Sequence, residues 1–458
     1  METPPRTKRR SLVFGDQEHR RSIDENVGMI LSRLPLKDAV VTSSVCKGWR
    51  SKWTAIDSLD FDPGETLRGY WDEADREVKH SKTRNYVDWV THVLRQLGDD
   101  NDRALKLFRV FFFEIDKRFT SEIDEWVQFA MRRRVQVLIL GFLSYTGDNS
   151  YTFPRQLIHD DGCCFKYLKT LELEGVDVTE DVLGELLCSC PNLERLLVRF
   201  TRSLVKVALI GPLLLKSLAM DCNGGLKAIE IRNAPHLASF SYSGFPIHVV
   251  VENVPLLSEV CLSYLSNTKD CIRLPFTQLS SCVSQLHTLM MDIHHMDFHV
   301  YYENHAIPEL PNLKRFELVV YVDFCTQSLL LLTSFLKAFP HLCTLVLKLE
   351  FIDPFSCDPR TSFIERHRKN DVICPHHGLE VLEIVRYRHR LNADEHVRHV
   401  IETAIALKKI VINPVHWHFH HTGADKRIHD VKQEEIARNA ALNILKKQVP
   451  STIEFVVL

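Results

Sequence analysis

The sequence predicts an α/β repeat protein in which a small all-helical N-terminal unit precedes an elongated, irregular solenoid. Parallel strands are expected on the concave face of the solenoid, with helices or extended segments on its convex face. Three observations predict this. The 458 residues exceed one ordinary hydrophobic core. One six-residue apolar pattern recurs along most of the chain. A different, helical pattern occupies the region before residue 62.

The chain begins with a polar segment and a short helical unit. Residues 1–21 are rich in Pro, Arg and Lys and predict a disordered basic tail. Apolar residues from Ile23 to Leu34 then follow one helical stripe, which Pro35 ends. A second helical stretch is expected over 37–47, before two tryptophans at 49 and 53. A helical unit of about 40 residues is too small to build a stable hydrophobic core by itself. We therefore expect it to pack against the surface of a partner.

The body of the chain is dominated by a hexad of the form apolar-x-x-apolar-x-apolar. Twelve such hexads begin at Leu105, Val135, Leu168, Leu193, Leu215, Leu237, Leu257, Leu286, Leu313, Leu342, Leu379 and Leu407. Most of their spacings lie in or near the range of leucine-rich repeats. The alternating apolar residues at the end of each hexad predict a short strand, and only neighbouring repeats complete its core.

Segments between the hexads predict the convex face. Helical periodicity occurs over 121–133, 179–190, 327–338 and 393–406. Around residues 215–260 the repeats are too short for a full helix, and 226–231 and 248–253 are strand-like, so extended segments are expected there. The alternative is a generic α/β domain of parallel strands and helices. It is disfavoured because no Gly-rich phosphate loop follows any strand.

The composition of the chain indicates which classes of partner it is suited to bind and in which cellular compartment it is expected. The formal net charge of -2 offers no bulk electrostatic case for nucleic acid or an anionic membrane. No apolar stretch approaches 18 residues. Thirteen cysteines, an odd number without a C-x-x-C pair, are interpreted as reduced thiols of a cytoplasmic or nuclear protein.

Motifs for chemistry are weak. The histidine-rich stretches 294–299 and 416–421 raise a metal hypothesis, but neither has a zinc-finger or H-E-x-x-H spacing, so loop or strand-edge histidines are the favoured interpretation. No nucleophile, P-loop or dinucleotide motif is present. We therefore expect no catalytic residue, no metal and no cofactor.

Two segments nevertheless resemble modules of a known family. Residues 22–62 resemble an F-box of the kind common in plant F-box/leucine-rich-repeat proteins, through Asp24-Glu25, Leu34-Pro35, Trp49-Arg50 and Trp53. The family usually carries Leu-Pro ahead of the acidic pair, where this chain has Ser22-Ile23. Residues 379–413 are similar to the FBD module that closes many of these proteins. The resemblance divides the chain into a tail (1–21), an F-box (22–62), a leucine-rich-repeat solenoid (63–370) and an FBD-like C-terminal cap (371–458).

The resemblance implies a non-catalytic subunit of an SCF-type ubiquitin ligase. The F-box would bind a Skp-type adaptor, and through it cullin and RING subunits, while the repeats hold a protein target. The residues expected at the adaptor are Leu34, Pro35, Val45 and Trp49. For Trp49 and Trp53 there is an alternative to adaptor binding: one of the two packs the two predicted helices against each other.

For the target the sequence indicates only a surface. In each hexad the residue between the last two apolar positions points to the concave side. These residues include Arg109, Glu172, Glu317 and Glu383, and also Leu197 and Val346. Mixed chemistry on a long face suits a protein or peptide target. Two alternatives stay open: a small-ligand receptor on the repeats, or a scaffold without a ligase link.

Overall fold

A computed structural model gives the fold of the chain. It describes Leu36, Asp38, Val41 and residues 56–61, 76–98, 104–113, 115–143, 150–160, 163, 165–211, 213–222, 224–264, 273–293, 307–321, 335–350, 375–389, 391–415 and 424–458. The predicted tail, almost all of the predicted F-box and both histidine-rich stretches lie outside these residues.

The largest element is one sheet of fourteen strands, in which every neighbouring pair is parallel. Its strands, in spatial order, are β1 (Ser58–Phe61), β2 (Leu107–Phe113), β3 (Val137–Leu143), β5 (Thr170–Glu174), β7 (Arg195–Arg199), β9 (Ser217–Cys222), β11 (Ser239–Gly244), β13 (Glu259–Tyr264), β14 (Thr288–Ile293), β15 (Arg315–Tyr321), β16 (Thr344–Glu350), β17 (Val381–Val385), β18 (Lys409–Asn413) and β19 (Glu454–Val457). The predicted solenoid of parallel strands is therefore confirmed, and the sheet continues through the FBD-like segment.

The hexads form the core of this solenoid. Every apolar residue of the twelve hexads is at most 7% exposed. The last two apolar residues of each hexad lie on a strand and point into the core, away from the concave face. Two strands were not among the predicted hexads. The first, β1, follows the same pattern from Ile56 but lies inside the segment assigned to the F-box. The last, β19, has Thr452 at the first hexad position, so the pattern is broken there.

Helices cover the convex side before and after a central segment of strands. They are α1 (Arg76–Leu97), α2 (Thr120–Arg132), α3 (Arg155–Ile158), α4 (Glu180–Ser189), α5 (Arg273–Gln278), α6 (Leu391–Thr403) and α7 (Ala424–Asn443), with 3₁₀ turns at Lys117–Phe119, Phe165–Tyr167, Val283–Gln285 and Leu445–Gln448. The helices predicted over 121–133, 179–190 and 393–406 are confirmed by α2, α4 and α6. Of the helix predicted over 327–338, only residues 335–338 are described, and they are helical.

Helix α1 was not predicted, although it closes the N-terminal end of the core. Its Tyr86 hydroxyl donates a 2.5 Å hydrogen bond to the carbonyl oxygen of Phe61, and its ring stacks on Phe112 with centroids 4.2 Å apart. The indole N–H of Trp126, on α2, donates to the Thr91 hydroxyl of α1 over 3.0 Å. The many charged residues of α1 hid its apolar stripe in the sequence.

The middle of the convex side is built from strands, as predicted. A second parallel sheet contains β8 (Lys206–Ile210), β10 (Ala228–Arg232) and β12 (His248–Glu252), while β4 (Tyr151–Thr152) and β6 (Val176–Asp177) form a two-stranded ladder. Neighbouring helices need about 10 Å, but neighbouring strands need about 4.8 Å. Where strands occupy both faces the spacings are equal, so the sheet is expected to be locally flat across β9, β11 and β13.

One glycine in this flat segment has a strict conformational role. Gly244 ends β11 with φ +150°, a region that residues with a side chain rarely adopt. A Cβ atom there would lie 2.5 Å from the backbone oxygen of Cys222 on the neighbouring strand. The position therefore excludes any side chain both by its backbone angles and by the close approach of β9.

Replacing Gly244 by alanine is expected to lower the free energy of unfolding by about 1–3 kcal/mol, because β9 and β11 must separate to admit the Cβ atom. The matched control is Gly224→Ala, since a Cβ at Gly224 would meet no atom within 4 Å. Urea unfolding followed by circular dichroism measures both. Equal midpoints for the two variants would contradict this account of Gly244.

Candidate protein-binding surface

In-register pairing turns the concave face into rows of aligned side chains. The residue between the last two apolar positions of each strand forms what we call the central row: Asp60, Arg109, Ile139, Glu172, Leu197, Ala219, Ser241, Cys261, Met290, Glu317, Val346, Glu383, Val411 and Val456. All four residues predicted at the target surface, Arg109, Glu172, Glu317 and Glu383, therefore lie in one row. The structure places them on one face, and their role in binding stays a prediction.

Glu317 is the best-anchored carboxylate of this row. Its Oε2 lies 2.6 Å from the Lys348 ammonium nitrogen, and its Oε1 lies 2.7 Å from Arg315 Nε. Burial by itself raises the pKa of Glu317, but the hydrogen bonds and charges of Lys348 and Arg315 outweigh it and hold the pKa below its ordinary value. Both oxygens of Glu317 are therefore engaged inside the protein.

Glu383 is held far less closely. Its carboxylate lies 3.9 Å from the Arg315 guanidinium, at the limit of an ion pair. Lys348, which anchors Glu317, instead approaches Met290, with 3.6 Å between its Nζ and the thioether sulfur. Arg315 thus links the two glutamates but contacts Glu317 much more closely.

The same row has a different electrostatic character near the N-terminal end. Arg109 pairs with Asp60 at 3.5 Å and lies over the Phe111 ring. Glu172 has no hydrogen bond or ion pair with any residue that the structure describes. Burial, and then the negative charge of Glu174, raise the pKa of Glu172 above its ordinary value, although nearby arginines oppose this.

Between these two charged regions the face has a floor of short side chains. On β9, β11 and β13 it presents Ser217, Ala219, Ser239, Ser241, Ser243, Cys261 and Ser263. Longer side chains stand on both sides, such as Arg199 on β7 and Met290 on β14. We call this depression the serine trough. It coincides with the flat segment of the solenoid.

Part of the concave face is covered. Val319, Val346 and Val385 point to this side of strands β15, β16 and β17, yet they are only 1%, 1% and 6% exposed. Val346 lies on the concave side as the sequence predicts, but it is buried and therefore adds nothing to the accessible part of that face. The missed signal was a group of valines at non-hexad positions of three consecutive strands. The serine trough, by contrast, is lined by partly exposed residues.

The adaptor residues predicted in the F-box, Leu34, Pro35, Val45 and Trp49, lie outside the described residues. The nearby positions that are described are helical: Leu36 is buried, while Asp38 and Val41 are exposed. Val41, an apolar residue, is 61% exposed.

The described part of the chain gives little support for a metal site, a membrane span or a reactive thiol. Within it, no three or more His, Cys, Asp or Glu residues are grouped as metal ligands would be. None of the described helices has the length and apolar character needed to cross a bilayer. The described cysteines, among them Cys190 and Cys222, are free thiols, and burial raises the pKa of both to about 12.

Glu317 and Glu172 occupy the same row but are expected to affect stability in opposite ways. Glu317→Gln should lower the free energy of unfolding at pH 7 by about 1–3 kcal/mol, because Lys348 and Arg315 lose their anion. The wild-type advantage is present above the ordinary carboxyl pKa near 4.5 and disappears as the pH falls through the depressed folded-state pKa.

Glu172→Gln should instead preserve or raise stability at pH 7, because the folded environment favours the neutral carboxyl group. The wild-type penalty is present above the raised folded-state pKa and disappears below about pH 4.5. Urea titrations of both variants at pH 7 and pH 4 measure these differences. If both substitutions shifted stability in the same direction at pH 7, the assigned environments would be wrong.

Comparison with known protein families covers both parts of the chain. Residues 161–458, more than half of the chain, match the family model described as At1g61320/AtMIF1, LRR domain. Residues 24–60 match the F-box domain. The second match ends within β1, so the F-box segment runs directly into the first strand of the sheet.

Similar proteins from Arabidopsis thaliana have the same modules in their names. F-box/LRR-repeat protein At3g26922 is 30% identical over 261 residues, which cover 52% of this chain and 79% of that protein. FBD-associated F-box protein At5g22730 is 26% identical over 442 residues, covering 85% and 86%. Putative F-box/FBD/LRR-repeat protein At5g22670 is 27% identical over 430 residues, covering 85% and 89%.

These matches agree with the parallel repeat sheet and with the resemblance found in the sequence. The combination of an F-box with leucine-rich repeats is generally that of a non-catalytic substrate adaptor, and an F-box in general implies a Skp-type partner. The chain therefore belongs to the plant F-box/FBD/leucine-rich-repeat protein family.

Proposed function

We propose that the chain is the substrate-recognition subunit of an SCF-type cullin-RING ubiquitin ligase. Its F-box binds a Skp-type adaptor, which connects it to cullin and RING subunits, and its concave face binds a protein target for ubiquitination and degradation. The subunit itself carries out no chemistry. It acts in the cytoplasm, the nucleus or both, and needs no cofactor, nucleic acid or membrane.

The observation that carries this proposal is the direct joining of the two modules. The F-box match ends at residue 60, and residues 58–61 are already paired with β2 in the fourteen-stranded sheet. This end of the F-box segment is therefore fixed to the solenoid. A substrate-recognition subunit must hold its bound target at a constant distance from the catalytic part of the ligase. A rigid joint between the F-box segment and the repeat sheet serves this purpose.

The concave electrostatics support a protein target over a small anionic ligand. A receptor for such a ligand needs several cations directed into one pocket. Here Arg109, Arg315 and Lys348 are instead each within 4 Å of a carboxylate of the same face. Alternating charges along a surface many strands wide are suited to a large partner with its own mixed chemistry.

Adaptor binding is tested by co-purification with a Skp-type protein. Leu34→Ala/Pro35→Ala is expected to weaken recovery at least about tenfold, and Val45→Ala/Trp49→Ala similarly, because apolar anchors dominate such interfaces. Gly224→Ala, which adds a methyl group with no atom within 4 Å, is the control for a change elsewhere in the chain and should be recovered like wild type.

Circular dichroism melting of each variant separates lost binding from lost folding. If wild type and the Leu34/Pro35 variant were recovered equally, or neither were recovered, the ligase proposal would fail. The scaffold alternative would then be favoured.

A further inference from the structure

Among the described residues of the concave face, carboxylates outnumber cations. Its cations are largely engaged: Arg199 lies 3.5 Å from Glu174, and Lys409 lies 3.0 Å from Glu454, in addition to the pairs of Arg109, Arg315 and Lys348 described above. Arg195 is the exception among the described cations of the face, with no ion pair within 4 Å.

Three carboxylates around the serine trough have no ion pair with a described residue. They are Glu172 on β5, Asp221 on β9 and Glu259 on β13. Asp221 has a hydrogen-bonding neighbour in Ser243, and Glu259 is exposed at the start of its strand. The charges of Arg195 and Arg199 act on Glu172, and that of Arg199 acts on Asp221. Among the residues that the structure describes, however, these three carboxylates outnumber Arg195, the one cation of the face that has no ion pair of its own, so the trough region has a surplus of negative charge.

The geometry of the trough restricts what can neutralise this charge. Four strand spacings separate β5 from β13, which is about 19 Å. A simple cation cannot span that distance, whereas an extended segment of about six or seven residues can. The short side chains of β9, β11 and β13 leave room for the backbone of such a segment, and the flat solenoid keeps its floor even.

We propose that the serine trough binds a Lys/Arg-bearing segment of the target protein, whose cationic side chains pair with Glu172, Asp221 and Glu259. This inference rests on the proposed target-binding role of the concave face and specifies its partner as basic. Of the residues predicted from the sequence, it assigns target contact to Glu172, while Glu317 and Arg109 position neighbouring side chains. Glu383, held only at 3.9 Å, lies four strands beyond Glu259 and is reached only by a longer segment.

The test uses the full chain and a labelled peptide of about twelve residues, with Lys or Arg at alternate positions and Ser between, long enough to cross the trough. A peptide with Glu at the basic positions is the charge control. Fluorescence anisotropy is expected to show binding of the basic peptide, weakened by added salt, and weaker binding of the acidic peptide.

The decisive variant is Glu172→Gln/Asp221→Asn/Glu259→Gln, which should weaken binding of the basic peptide about tenfold or more. Its control is Glu194→Gln/Glu230→Gln/Glu252→Gln, which changes net charge equally. The control carboxylates lie in a turn or on the convex sheet and pair with Lys216, Lys206 and Arg232. The control variant should bind like wild type, and melting curves check that both variants fold.

Equal weakening in the two triple variants would mean that only net charge matters and would overturn the proposal. Failure of the wild type to bind, or a preference for the acidic peptide, would also overturn it. Binding that appears only after residues 2–21 are deleted would assign the trough to the chain's own basic segment, again overturning it. Adaptor co-purification does not depend on the trough, so it reports separately on the ligase proposal.

Discussion

The fold depends on the packing of one hexad against the next. A single repeat exposes its leucines on both sides, and they become buried only when neighbouring strands pair in register and bring the same positions together. In the described repeats this happens without a break from β1 to β19. Because register fixes every position at once, it also creates the rows of the concave face. Core and binding surface therefore follow from the same pairing.

The convex side then determines the shape of that surface. The helices on either side of the central segment are wider than strands and favour a bent stack, whereas β8, β10 and β12 favour a flat one. Gly244 belongs to the same flat segment, where the backbone of β9 approaches too closely for a side chain. The serine trough is found on the opposite side of this segment. The presence of strands in place of helices on the convex side thus accompanies a flat surface of short side chains on the concave side.

The charges of the concave face divide into two functional groups. Glu317 is saturated by Lys348 and Arg315 and contributes to folding, whereas Glu172 has no hydrogen bond or ion pair within the described part of the chain and has a raised pKa. Both occupy the same position of their hexads, so the difference comes from residues on the same strand and on the neighbouring strand, such as Arg315 and Lys348 beside Glu317. Unsatisfied carboxylates on an otherwise paired surface are expected where a partner supplies the opposite charge.

The sequence by itself determined the repeat architecture, most convex elements and the family, because hexad spacing and the F-box motif are local patterns. It also identified the concave positions, since strand alternation is fixed by the backbone. Only the tertiary structure decided which of those residues are available. Val346 is buried, Glu317 is anchored and Glu172 is not, because these outcomes depend on neighbours such as Lys348 that are far apart in sequence. Helix α1 was likewise recognisable only once its apolar stripe lay against Phe61 and Phe112.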